Sequence, residues 1–229
     1  MLRKKPRTYR SEVRREQRER TAAKILAAAK KLFKSRGFEG VSIDEIAFEA
    51  GVSAPTVYAV FGSKRGILKE WMVRALFNDQ YQALVARALE ITEPRKRLKA
   101  AAAIARQVYD SEQAEMGLLR GAAIVSPDLT ELERETEAIR FERQQSTVQL
   151  LRDAGALHAG LSYEQAREIL WTLTGRDIYR MLVVEKKWPS NRYETWLGSL
   201  LVLALLGEQP RAGVTHDDAK HQNQPKKCQ

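Results

Sequence analysis

Cysteine is almost missing from this chain of 229 residues: the only one, Cys228, is the penultimate residue. Neither an internal disulfide nor a cysteine metal cluster can form, and that usage fits a reducing compartment. Histidine is nearly as scarce. Of His158, His216 and His221, two lie close to the C-terminal end, which leaves no His/carboxylate metal spacing and no His-dependent triad. Gly-x-Ser-x-Gly, Walker and dinucleotide fingerprints are absent too. Neither an enzyme, nor a cofactor, nor a bound metal is expected. Long apolar runs are also lacking: the longest, Trp196 to Leu206, has eleven residues, whereas a bilayer span needs about 20. The first twenty residues hold nine Arg/Lys without the apolar stretch that a secretory signal requires. The expectation is a cytoplasmic protein with no membrane partner. Strands are missing as well, because no stretch alternates strictly over five or more residues with β-branched enrichment.

What is present is helical periodicity, a 44% apolar composition able to form a core, and a formal charge of +10. The position of that charge is informative. Residues 1–66 hold 16 Lys+Arg and 7 Asp+Glu, and the remainder holds 23 and 22, so nearly all the excess lies in the first third. Such asymmetry marks a module that meets a polyanion, joined to a larger body that does not.

The chain divides accordingly. Residues 1–18 read as a basic, flexible arm, in which Arg3, Lys4, Lys5, Arg7 and Arg10 serve either phosphate or minor-groove binding or solubility alone. A helix over about 20–36 places Ile25, Ala29, Leu32 and Phe33 on one stripe. Ser42 and Glu45 form a capping box, with Val41 and Ile46 as its hydrophobic staple, and Gly51 closes a helix of one buried face. Ser53 caps the next helix, with Pro55 in its first turn, and Ser63 caps a third. From Ser63 to Glu90 a single helix of about 28 residues and about 42 Å is expected. Further helices are expected at 95–109, 112–125, 127–155, 163–187 and 190–207, and residues 208–229 read as a disordered tail.

The short helices at about 43–50 and 54–60, joined by Gly51-Val52-Ser53, match a helix-turn-helix: the short connection lets two helices cross steeply around Ile46, Val52 and Val57. The second helix can then enter a major groove. Its outer side offers Ala54, Thr56, Tyr58 and Ala59. A capped helical hairpin also occurs in all-α cores that never meet DNA, but here a basic arm precedes it and Lys64-Arg65 follow it.

At this point the sequence resembles the TetR family of bacterial one-component transcription regulators. The resemblance rests on Ile25 to Phe38, on Val41-Ser42-Ile43 with Ile46-Ala47 and Ala50-Gly51-Val52-Ser53, and on Thr56-Val57-Tyr58 with Phe61-Gly62-Ser63-Lys64 and Ile67-Leu68. It implies an all-α fold: a three-helix DNA-binding domain over 19–66, then a larger helical ligand-binding and dimerisation domain over 67–207. It also implies DNA-binding roles. Tyr58 and Lys64 would contact the backbone, Ala54, Pro55 and Thr56 would face the groove, and Ser42 would cap its helix and reach a phosphate. Many relatives carry an aromatic residue and a histidine where this chain has Ala59 and Val60, so operator preference does not transfer.

One recognition helix covers few base pairs, and two-fold dimers on palindromic half-sites are the usual solution. The last helix is apolar all round and must be buried on more than one side. Leu197, Leu200, Leu201 and Leu203, with Leu170 and Leu173 of the preceding helix, are the candidate homodimer interface, forming a four-helix bundle across the axis. The resemblance further implies a small-molecule effector pocket, with Met116, Arg120, Trp171, Arg176 and Asp177 as candidate lining. The expected function is a repressor that binds a palindromic double-stranded operator as a dimer and is released by its ligand. The alternative is a helical adaptor whose basic head docks an acidic partner.

Overall fold

The computed structural model describes residues 7–122 and 127–207, with the backbone alone for residues 7–11, 116–122, 128 and 129. Helices dominate: α1 (Arg7–Arg36), α2 (Ile43–Ala50), α3 (Ala54–Phe61), α4 (Lys64–Leu76), α5 (Asp79–Glu90), α6 (Pro94–Ala122), α7 (Pro127–Asp153), α8 (Tyr163–Leu173), α9 (Arg176–Tyr179) and α10 (Ser190–Leu205). A π-helical turn, Arg180–Glu185, continues α9. Among the described residues the only extended pairing is an isolated bridge, Leu157 to Leu206. No described helix is long and apolar enough to cross a membrane.

Four boundaries differ from expectation, each for a local reason. The helix expected from about residue 20 begins at Arg7, so the described part of the basic arm is helical. No Gly or Pro interrupts residues 7–36, and ion pairs such as Arg15–Glu19, at 3.8 Å, follow the i,i+4 spacing that supports an exposed helix. Arg3, Lys4, Lys5 and the tail 208–229 lie outside the described residues.

The long helix expected from Ser63 to Glu90 is two. Asn78 is in extended conformation and its Oδ1 accepts from the Tyr81 N–H at 3.0 Å, which makes it the N-cap of α5. Conversely, the gap expected near Ser111 does not exist, and α6 runs through it.

The helix expected over 163–187 breaks at Thr174-Gly175. Thr174 turns its hydroxyl back onto the Leu170 carbonyl at 2.6 Å. Its own carbonyl accepts the buried Tyr109 hydroxyl at 3.0 Å. A Cβ on Gly175 would sit 2.9 Å from the Thr172 carbonyl oxygen, a distance that side chains do not tolerate.

Two cores result. The head core gathers Ile25, Phe33, Ile46, Val57, Ile67, Leu68 and Trp71 and extends through α4 to Leu76. The body core gathers Leu98, Tyr109, Val148, Leu151, Leu170, Tyr193, Leu197 and Leu201. Val108 of α6 packs against both, which makes α6 the shared wall. α10 runs along α6, and Gly198 allows the close approach, since a Cβ there would lie 3.4 Å from the Lys99 side chain.

Candidate nucleic-acid interface and internal cavity

The head is built from its caps upward. Ser42 Oγ accepts the Glu45 N–H at 3.2 Å, and the Glu45 carboxylate accepts the Ser42 N–H at 2.8 Å and Arg36 at 2.7 Å. Chiefly through that backbone N–H, and then through Arg36, the Glu45 carboxyl is held down to about 2. Gly51 takes the left-handed conformation, φ 65°, which costs a glycine nothing. The chain re-enters a helix at Ser53, whose Oγ accepts the Thr56 N–H at 3.3 Å. α2 and α3 thus form the expected helix-turn-helix around Ile46 and Val57, both fully buried.

The sequence-derived contacts fall into two groups. Ser42, Pro55 and Tyr58 face solvent, Tyr58 with 53% of its surface exposed. Ala54 is half-buried and packs against the head core. Thr56 is half-buried as well, its hydroxyl 2.8 Å from that of Ser53. Lys64 folds back rather than projecting: its Nζ donates to the Phe38 carbonyl at 2.9 Å, lies 4.5 Å from the Phe38 ring centroid, and approaches Glu39 at 3.7 Å.

Below the head a cavity of about 830 Å³ lies between α5, α6, α7 and the α8–α9 break. Its lining includes the apolar Leu76, Val85, Leu89, Ile104 and Val108 together with Arg97, Arg140, Arg143, Gln144, Thr147 and Trp171. Of the expected lining, Trp171, Arg176 and Asp177 reach it, whereas the side chains of Met116 and Arg120 lie outside the described residues. Arg176 and Asp177 do not pair with each other: Arg176 binds Glu112 at 2.7 Å and Asp177 binds Arg180 at 3.3 Å. Trp171 Nε1 and Gln144 Oε1 are buried polar atoms without hydrogen-bond partners, although Gln144 Nε2 donates to Thr174 Oγ1 at 2.8 Å.

Arg97, Tyr81, Arg140 and Arg143 were not anticipated. In the sequence Arg97 is one cation in Arg95-Lys96-Arg97, indistinguishable from its solvated neighbours; only the fold buries it, at 4% exposure.

The six leucines expected at a homodimer seam differ in how much the subunit itself buries them. Leu170, Leu197 and Leu201 are wholly buried within the subunit, so they hold the body together and offer no surface to a mate. Leu173 and Leu200 are half-buried, and Leu203 leaves 77% of its surface exposed.

Residues 25–71 match the family described as "Bacterial regulatory proteins, tetR family". Over 42 residues the chain is 45% identical to the HTH-type transcriptional repressor BdcR of Escherichia coli K12, covering 18% of this chain and 21% of that protein. Over 85 residues it is 36% identical to the HTH-type transcriptional activator FasR of Mycolicibacterium smegmatis, covering 37% and 38%. The matches thus span well under half the length of these curated relatives. Solved structures share the fold over much more of the chain. NalD, the secondary repressor of the MexAB-OprM multidrug efflux pump in Pseudomonas aeruginosa, superposes with a TM-score of 0.60 at 20% identity, over 85% of this chain and 100% of that one. A SmeT–triclosan complex gives 0.63 at 17% identity, over 90% and 99%. FadR from Bacillus subtilis in complex with stearoyl-CoA gives 0.60 at 16%, over 80% and 98%.

Proposed function

We propose that residues 25–71, which match the tetR family of bacterial regulatory proteins, are a DNA-binding domain, and that the whole chain is a transcription regulator that binds a palindromic operator as a homodimer and is released by a small molecule. It is a binding protein of the cytoplasm, where the operator lies, and not an enzyme. The observation that carries the reading is the head itself: a doubly capped helix-turn-helix whose second helix buries Val57 and turns Tyr58 outward. The adaptor alternative has no comparable observation in its favour, since nothing about an acidic protein partner requires this crossing of two capped helices.

Release by a ligand is supported by the cavity next to the head and by the two unpartnered polar atoms on its wall. Solved neighbours hold triclosan and stearoyl-CoA. Repression is the sign we propose, because a regulator released from its operator by a ligand most simply uncovers a promoter. The homodimer would use Leu173, Leu200 and Leu203, the expected seam residues that the fold leaves accessible.

The test is a titration of the full chain against fragments selected from its own genome and against random duplex, at several salt concentrations. Log affinity should fall linearly with log salt, with a slope set by the phosphates contacted, and a palindrome should be preferred. Equal affinity for all duplexes would remove the operator claim and leave only a basic head.

A further inference from the structure

The charge of the cavity wall names the chemistry of its occupant, an inference that rests on reading the cavity as the effector site. Among the described residues four arginines line it. Arg176 is matched by Glu112 and Arg140 by Glu137, at 2.9 Å through its Nε. The other lining carboxylates are also taken: Asp177 by Arg180, and Glu133 by an interaction of its own. Arg97 and Arg143 have no ion pair with a carboxylate among the described residues.

These two cations differ in what they can still do. Arg97 is committed, since its guanidinium donates to the Ala88 carbonyl, to the Ile91 carbonyl at 3.5 Å and to Thr147 Oγ1 at 3.3 Å. It stops the C-terminal end of α5, a place that favours a cation. Arg143 is uncommitted. It stacks on Phe77 at 4.7 Å and donates one hydrogen bond, to the Tyr81 hydroxyl at 3.2 Å, out of five donors in a planar fork.

Arg143 also stands at an opening. α5 packs on α6 but makes little contact with α7, and the slot between α5 and α7 exposes two apolar side chains of the cavity lining, Leu89 at 57% and Ile139 at 44%. Ile139 lies one turn before Arg143 on α7, so an apolar lip and an unmatched guanidinium share one face. Val85, Ile104 and Val108 continue the apolar surface inward.

We propose that the cavity takes an amphiphilic carboxylate, with its apolar body between α5 and α6 and its anionic head in the slot on Arg143. The fork geometry of the guanidinium suits a carboxylate, and one uncommitted cation at the mouth, among the described residues, suits one negative charge.

The experiment is calorimetric titration of the full chain, without DNA, with decanoate and with 1-decanol. One decanoate per chain should bind, about tenfold or more tighter than decanol, as one charge-assisted contact implies. Arg143→Gln should bring the two ligands within about twofold of each other by weakening decanoate alone. Arg143→Lys should keep part of the preference. Arg152→Gln, which removes a cation stacked on Tyr163 at 4.7 Å outside the cavity, should leave it intact. Equal affinity for acid and alcohol, a preference that survives Arg143→Gln, or decanoate binding at many equivalent sites would each overturn the proposal. Operator release is read in a separate titration. Decanoate that binds as stated without releasing DNA would count against the regulatory reading and leave the ligand class standing, whereas release by both ligands alike would do the opposite.

Discussion

Trp71, fully buried beneath the head, donates its indole N–H to the carboxylate of Glu115 on α6 at 3.3 Å. Lys30 of α1 reaches the same oxygen at 3.4 Å, so one side chain of the body holds two helices of the head. Burial would raise the Glu115 carboxyl, but the Trp71 N–H and Lys30 outweigh it and hold the group below the usual carboxylate range. Glu115 sits one turn beyond Glu112, which lines the cavity. A second clamp lies on α7, where Glu135 accepts Arg65 at 2.5 Å and Lys69 at 2.9 Å from α4. Under the proposed function, a shift of α6 or α7 around a ligand would reach the head through these contacts.

Glu115→Ala should lower the melting temperature, because it leaves a buried N–H without an acceptor, at a cost of about 1–3 kcal/mol, or roughly 2–4 °C per kcal/mol at this chain length. Glu115→Gln, which keeps an acceptor and loses only the charge, should recover most of that loss. Calorimetric melts of the three proteins check it, and equal melting of the Ala and Gln variants would show that the hydrogen bond to Trp71 contributes nothing.

Val57 and Tyr58 are neighbours with opposite tasks. Val57→Ala removes buried methyl groups from the head core and should cost about 1–2 kcal/mol of stability. Tyr58→Ala should leave the melting temperature within about a degree and still weaken DNA binding. Melting curves and duplex titrations on both variants separate the two roles. If Tyr58→Ala binds DNA like the parent, the reading edge of α3 lies elsewhere.

Most of the head was legible in the sequence because its structure is local. Ser42, Ser53 and Ser63 each bond to a backbone N–H three residues on, and Gly51 ends α2 in the conformation that its residue type favours. The body was legible only as helices. Asn78-Asp79, an isolated polar pair inside an apolar periodicity, reads in the sequence as exposed helix, and only the fold shows Asn78 capping α5. The gap expected at Ser111 fails because Ser111 is satisfied within the fold, by Gln107 at 3.0 Å and Asn78 at 3.4 Å. The cavity was hidden for a different reason. Arg143 and Tyr81 lie on separate helices, 62 residues apart in sequence, and no spacing rule links them. Likewise, six leucines on two helices cannot be sorted into core and seam until the subunit's own packing has claimed Leu170, Leu197 and Leu201.

Acid titration should act on the head through Glu45. Its carboxyl is depressed from 4.5 to about 2 in the folded chain, and a depressed carboxyl contributes stability above its unfolded value that disappears as pH falls through the folded one. The contribution should be complete above about pH 5 and lost progressively between about pH 4.5 and 2. The difference in melting temperature between the parent and Glu45→Gln should therefore be largest near neutrality and shrink across that acidic window. A difference that stays constant over the window would mean that the charge on Glu45 adds nothing to its cap.

Leu201 and Leu203 test the homodimer against the subunit core. Two positions apart on one helix, they point to different sides: Leu201 is fully buried and Leu203 is 77% exposed. Leu201→Glu would place an unpaired charge in the body core, a costly change, and should abolish cooperative melting. Leu203→Glu should leave the subunit folded while repelling its symmetry mate, since a two-fold interface doubles every charge introduced near its axis. Light scattering of Leu203→Glu should then give a mass near the 26.0 kDa of one chain, with operator affinity lost along with the second half-site. A folded Leu203→Glu protein that still scatters as a dimer would remove the last turns of α10 from the interface.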